Sequence, residues 1–441
     1  MNRHDAENLC SRMINLIEAD EVFIQLRSVN ASTLPFANNH ASLPGSIRDD
    51  SMSISIRDGQ RFGTITGNRF DDASLRRMVE QLTYITKLMP EVEGEPPFPD
   101  FTLVLEAPLF TESDEQIDSR QRLFWLTHLL DIVREADLRA TGSITTTDSS
   151  LSVATSHGLF LHQAATLMEG ELRVYSADGL QTAQGKQYRR SSNSFDPASL
   201  ARRVVDTCIA WKNPMEVTPE RTTSVFTATA LADMLLHLLR QFSSEAVAEE
   251  RSFLRRLDGS TFVGSKMFDE RITLRSDPFE QELPSMPFTQ DGVEVRPTTW
   301  VKNGVISAMS ISRREAYRLR REPVAVPTNL LMDGGTDNLE ELIQGTERAL
   351  LVNGFAQLGV VDHSNCLLSG STRDGLFLIE NGRIVSAVKN LLLRETPLYL
   401  LKEVLSLGRP EETSPSGSYF PMKLPPIRVK DVLYTQASGV I

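Results

Sequence analysis

Apolar residues recur with two different periods along the N-terminal part of the chain. Leu9, Met13, Leu16 and Ile17 fall on one stripe, since positions three and four apart share a helical face. From residue 22 to 27 the period drops to two, and Val22, Ile24 and Leu26 mark one face of a strand. Met52, Ile54 and Ile56 alternate again and run into Asp58-Gly59, a dipeptide suited to a hairpin turn, with residues 61–66 returning. Asp71 or Asp72 then caps a helix. Its apolar positions Leu75, Met78, Val79, Leu82 and Ile85 keep the helical spacing until Pro90.

Residues 91–100, EVEGEPPFPD, are rich in proline and acid and read as a linker. A strand is expected near 102–105, then a long helix with Leu123, Leu126, Leu130 and Val133 inward, then a Thr/Ser/Val-rich β-meander over 143–176. Asp196-Pro197 supplies a cap and a first-turn proline for a helix through Leu200, Val204, Cys208 and Trp211. Strands dominate afterwards. The segments 301–306 (VKNGVI) and 379–384 (IENGRI) both place Asn-Gly between strand residues, the chemistry of a type I′ turn. Residues 411–418 read as a mobile loop, and 427–433 as a last strand. The pattern is α+β: a mixed α/β N-terminal domain over 1–95, a middle α+β domain over 100–215, and a strand-rich C-terminal domain over 220–441.

Composition changes this picture only by exclusion. With 40% hydrophobic and 24% charged residues the chain resembles an ordinary globular protein, and no window nears the ~18 apolar residues of a membrane span. The opening MNRHDAENLC has no apolar signal core, so the expected location is cytoplasmic. A net charge of -12 repels phosphate backbones and anionic lipid, so neither nucleic acid nor membrane is an expected partner. The basic run Arg313, Arg314, Arg318, Arg320 and Arg321 reads as a solvated helix face, or as a seat for an acidic partner. Cys10, Cys208 and Cys366 are far apart and suggest neither a disulfide framework nor a zinc knuckle.

Candidate chemistry is sparse. The chain holds no glycine-rich phosphate loop and no serine nucleophile elbow. His157 and His162 lie on a hairpin, five apart, and so point to opposite faces. His363 and Cys366 form the one His/Cys pair with ligand-like spacing. They could hold a metal with further ligands, or make Cys366 a nucleophile, or be a loop histidine beside a strand cysteine. Arg373 and Asp374 precede Gly375 and read either as a hairpin tip or as a clamp for a peptide carboxylate or carbonyl.

Several stretches, in order, resemble the TldD/PmbA family of TldD/TldE peptidases, whose older label is modulator of DNA gyrase. They are FANNH (36–40), the Asp58-Gly59 hairpin with its capped helix, the stretch DPFEQELPSMPFTQDGVEVRPTTWVKNGVISAMSISRREAYRL, and SGSTRDGLFLIENGRIVSAVKNLLL. The resemblance implies a TldD/PmbA-like fold. In the family's catalytic branch a helix carries HExxxH and a C-terminal cysteine adds a zinc ligand; the glutamate takes a proton from metal-bound water. The matching helix here is LADMLLHLLRQFSSEAV, expected to run over 231–247. His237 stands at the first histidine, Leu238 at the glutamate and Phe242 at the second histidine, and no cysteine follows residue 411. The resemblance therefore implies a TldE-like chain with no metal of its own, with zinc in a TldD-like metalloprotease subunit. The pair, a heterodimer, would degrade or mature unfolded peptides that add as a strand to a sheet edge. The alternative is an autonomous homodimeric peptide-binding scaffold. An acidic chain without a basic stripe gives no physical reason to touch DNA.

Overall fold

The computed structural model describes residues 1–109 and 117–436. In it α1 (Arg3–Leu16) leads into a long strand β1 (Glu21–Ala37), which turns back through β2 (His40–Ala41) to β3 (Gly45–Asp58) and β4 (Arg61–Gly67). The first turn is Asn38-Asn39, with φ of 48° and 64°. Asparagine tolerates this left-handed region better than other residues with a side chain. Asn39 then ties the hairpin across the sheet, donating to the Leu138 carbonyl at 2.8 Å and accepting from the Ala140 N–H at 2.6 Å. The β3–β4 turn uses Gly59 at φ 62°, directly after Asp58. Asp71 caps α2 (Asp72–Leu88) by accepting from the Ser74 N–H at 3.0 Å.

The middle of the chain supplies α3 (Ser119–Glu135), β5 (Arg139–Thr155), β6 (Phe160–Tyr175), β7 (Thr182–Arg189) and α4 (Pro197–Ala210). β5 pairs antiparallel with β1 from Phe23↔Thr155 to Phe36↔Gly142, giving the order β4-β3-β1-β5-β6-β7 with β2 on β1. Segments 1–95 and 100–215 thus share one sheet while keeping separate cores. α1 and α2 cover Ile24, Leu26, Met52 and Ile54, and α3 and α4 cover Leu34, Ile144, Met168 and Leu172. Both sets lie on the same side, since Ile24 and Leu34 are an even number of positions apart on β1. The face of α3 is rotated from the expected one: Leu123 is half exposed, while Trp125 and Leu129 turn inward. The larger indole takes the core, edge-on to Phe195 at 4.8 Å. Residues 102–105 form no strand. They run unpaired across the outside of the sheet.

After α4 the chain enters β8 (Arg221–Phe226), α5 (Ala228–Leu239), α6 (Ser244–Ala248), β9 (Leu274–Ser276), β10 (Thr298–Lys302), β11 (Val305–Ile306) and α7 (Arg313–Leu319). It continues through β12 (Leu330–Met332), α8 (Leu339–Gln344), β13 (Arg348–Asp362), β14 (Leu367–Glu380), β15 (Arg383–Val388) and β16 (Leu391–Glu395). The last elements are α9 (Pro397–Lys402), β17 (Val404–Leu407), β18 (Glu411–Thr413), β19 (Met422–Leu424) and β20 (Ile427–Gln436). One sheet runs β13-β8-β20-β16-β14, and β14 pairs back onto β13, so these strands close into a ring. A second sheet runs β11-β10-β9-β12-β19-β18. The Asn-Gly turns are left-handed at both central residues, φ 48° and 77° at Asn303-Gly304 and 50° and 76° at Asn381-Gly382. Both are the type I′ geometry that the sequence indicates. The expected loop at 411–418 is in part a strand: β18 pairs with β19 from Glu411↔Leu424 to Thr413↔Met422.

Candidate functional site

The site is built on α5, which starts where β8 leaves the ring. Thr227 caps it, accepting from the Ala230 N–H at 3.2 Å and donating to the Asn353 carbonyl of β13 at 2.9 Å. The helix is buried around most of its circumference, through Ala228, Leu231, Ala232, Met234, Leu235, Leu238 and Leu239. It is shorter than the sequence suggests. α5 stops at Leu239, and α6 begins at Ser244 under its own cap, Ser243. The expected continuous helix over 231–247 is therefore broken, because residues 240–243 turn to bring Phe242 back into the core. There its ring meets Phe253 edge-on at 5.6 Å, and its carbonyl accepts from the Ser310 N–H at 2.8 Å and hydroxyl at 2.9 Å.

This geometry separates the motif positions. His237 is half-buried on the last turn of α5. Burial holds its imidazole below the ordinary range, Arg240 adds to that effect, and the Leu358 carbonyl opposes it. Leu238 has no exposed surface, and Phe242 lies beyond the helix at 1% exposure. Two residues of three thus point into hydrocarbon. The set does not fit a zinc ion, which requires convergent nitrogen, sulfur or oxygen donors. Among the described residues no group of three or more His, Cys, Asp and Glu is placed to hold a metal.

His363 and Cys366 do not converge either. His363 is exposed on the β13–β14 turn, whereas Cys366 is fully buried among the residues of the ring core. Burial pushes the Cys366 thiol up to about 12, far from the thiolate a nucleophile needs. His157 sits in the β5–β6 turn, and His162 is buried on β6, accepting or donating a 2.8 Å hydrogen bond with the Ser152 hydroxyl.

Arg373 and Asp374 are on a bulge inside β14, not at a hairpin tip: the β13–β14 register shifts between Val352 and Gly354, opposite them. Asp374 (φ 60°) and Gly375 (φ 103°) carry the distortion, and Asn353 Nδ2 donates to the Asp374 carbonyl at 3.1 Å. The bulge turns the Asp374 carboxylate away from the ring, toward the N-terminal sheet. It pairs with Arg373 Nε at 3.1 Å and faces Arg173 of β6 and the Gln184 backbone N–H of β7. A second carboxylate, Asp233 of α5, faces the same region. It accepts from the Ser416 N–H at 2.7 Å and hydroxyl at 3.0 Å, fastening the 414–421 segment to the helix. Burial pushes both carboxyls up to about 6, against the pull of Ser416 and Arg373 on Asp233 and of Arg373 on Asp374. Nearby, Tyr419 packs on Tyr188 of β7 at 5.0 Å and under Arg190, so the same segment also holds the N-terminal sheet. The site is a charged seam between the two halves. Sequence reasoning named Arg373 and Asp374 but missed Asp233; its signal was a lone carboxylate in the otherwise uncharged stretch 222–239.

The family of the PmbA/TldA metallopeptidase C-terminal domain matches residues 219–436. The chain belongs to the TldD/PmbA family. A metalloprotease from Methanothermobacter thermautotrophicus is 23% identical over 281 residues, covering 59% of this chain and 60% of that protein. The match therefore spans less than two thirds of the relative's length. TldE from Thermococcus kodakarensis superposes with a TM-score of 0.86 at 19% identity, over 98% of this chain and 99% of that one. A protein from Bacteroides thetaiotaomicron described as a modulator of DNA gyrase gives 0.87 at 15% identity, over 99% and 100%. At such identities these likenesses establish the fold.

Two outcomes check the reading of the helix and the seam. Leu238→Glu combined with Phe242→His rebuilds the motif in sequence only. It should cost about 4 kcal/mol or more in urea unfolding, by burying a carboxylate and emptying a phenyl site, and should recruit no zinc. A folded variant with one zinc per chain would contradict this geometry. For Asp233, the folded value of about 6 exceeds the ordinary 3.8, so ionisation opposes folding. That cost is absent below pH 4, grows from pH 4 to 6, and is complete above pH 6. Asp233→Asn keeps an acceptor for Ser416, so its thermal midpoint should equal the parent's at pH 4 and exceed it at pH 8. A lower midpoint at pH 8 would show that the fold favours the anion.

Proposed function

We propose that this chain is a TldE-like, non-catalytic subunit, which acts beside a zinc-bearing TldD-like relative in degrading or maturing unfolded peptides. One observation carries the reading: the helix at the motif position is a packing element, with Leu238 and Phe242 wholly in the core. A peptidase of this family needs a metal and a general base there; Leu238 stands at the base position, and of the two histidine positions only His237 keeps a donor. The likeness to TldE from Thermococcus kodakarensis, along 98% of the chain, supports the same assignment. What this subunit contributes is a scaffold: the ring that holds α5, and the seam where Arg373 and Asp374 face the N-terminal sheet. Arg373, one-third exposed, remains available to a peptide carbonyl or carboxylate.

The test mixes the purified chain with an HExxxH-bearing family member from the same source and follows size-exclusion profiles and cleavage of an unfolded peptide such as reduced, alkylated insulin B chain. Co-elution, with cleavage by the mixture and none by this chain alone, is the expected result. Full activity of the zinc-bearing member without this chain, and no co-elution, would overturn the proposal.

A further inference from the structure

The segment Phe101-Thr102-Leu103-Val104-Leu105 has the composition of a strand, yet its backbone makes no strand. Among the described residues, no group is hydrogen-bonded to the backbone N–H or C=O groups of residues 101–106. The segment is nevertheless held in place from both sides. Val104 packs beneath it with Phe23, Val153, Leu161 and Phe288, and Ala107 is clamped by Gln163, which accepts from its N–H at 2.8 Å and donates to its carbonyl at 3.0 Å. The remaining alternate side chains face solvent: Phe101 is 69% exposed, Leu103 77% and Leu105 69%. Three large apolar residues on one exposed face, on a backbone free to pair, are the features of a docking edge. Beside them lies a surface cavity of about 210 Å³, lined also by Arg3, Glu7, Phe160, His162 and Phe288 and large enough for one side chain.

Charge decides what docks. From residue 88 to 119 the sequence contains nine Asp and Glu and no Lys or Arg. Carboxylates bracket the exposed segment, Asp100 beside His157 at 3.2 Å and Glu106 beside Arg3. Asp100 is 87% exposed and Glu106 49%, and although Glu91 and Glu95 also pair, with Arg61 and Arg314, exposed pairings of this kind are weak and leave a net acidic field. A second copy of this chain, pairing antiparallel about Leu103, would set Asp100 against the other copy's Glu106, like charge against like. We infer that residues 101–105 form a docking strand for an extended segment of another protein, one with alternating apolar residues and basic ends, whose central side chain enters the cavity. This goes beyond the subunit assignment and holds whether or not that assignment does.

The experiment uses the full chain and fluorescein-labelled synthetic peptides: Lys-Val-Thr-Leu-Thr-Val-Lys, the same peptide with Glu at both ends, and one with Pro at the centre. Fluorescence anisotropy should show the Lys-ended peptide binding at least tenfold more tightly than either of the others, and more weakly as salt rises. Leu103→Lys should lose at least tenfold in affinity with an unchanged thermal midpoint, since that side chain is mostly in solvent. Equal binding of the Lys- and Glu-ended peptides, or unchanged binding by Leu103→Lys, would overturn the inference. So would sedimentation showing a dimer of this chain that Leu103→Lys dissociates, which would give the strand to a second copy.

Discussion

Everything at the candidate site depends on one packing constraint, the burial of α5 against the closed ring of β13, β8, β20, β16 and β14. The ring offers α5 a wall of Phe226, Val352, Phe355 and Leu368, and β19 adds Met422 and Leu424. A helix enclosed in this way must be apolar around nearly all of its circumference, and a charge on it must find partners. Asp233 meets that condition through Ser416. Leu238 and Phe242 meet the constraint directly, by being hydrocarbon. A metal centre at the same place would need three polar donors and a water in a region that is here filled by side chains.

The same burial ties the two halves of the chain together. The 414–421 segment is pinned at one end to α5 by Ser416 and at the other to β7 by Tyr419. On the opposite strand, the β14 bulge aims Asp374 at Gln184. Bulges store local distortion and re-aim side chains, and this one carries the Arg373–Asp374 pair out of the ring and onto the junction. The proton affinity of both carboxyls near neutrality follows from their enclosure between two layers, and not from any neighbouring nucleophile.

Local chemistry was legible in the sequence. The Asn-Gly turns, the Asp71 and Asp196 caps, the alternation of β1 and β3 and the α+β class all follow from residues a few positions apart. Long-range facts were not. That β1 pairs with β5, making one sheet of segments that a Pro-rich stretch divides, depends on contacts more than a hundred residues apart. The bulge at Asp374 read as a hairpin tip because Asp-Gly serves both geometries. The end of α5 at Leu239 was hidden because LLRQF continues a helical pattern, and only the demand of Phe242 for a core position breaks it. At residues 102–105 the strand propensity is real, but among the described residues no strand comes to pair with it.

The most direct measurement is equilibrium dialysis of the isolated full-length chain against micromolar zinc, with metal quantified by plasma mass spectrometry and a HExxxH-bearing family member dialysed alongside. The account predicts less than a tenth of an equivalent of zinc on this chain, unaltered by His237→Ala, and about one equivalent on the relative. One equivalent on this chain, lost on His237→Ala, would contradict it, because the imidazole would then be a ligand and the helix more than a packing element.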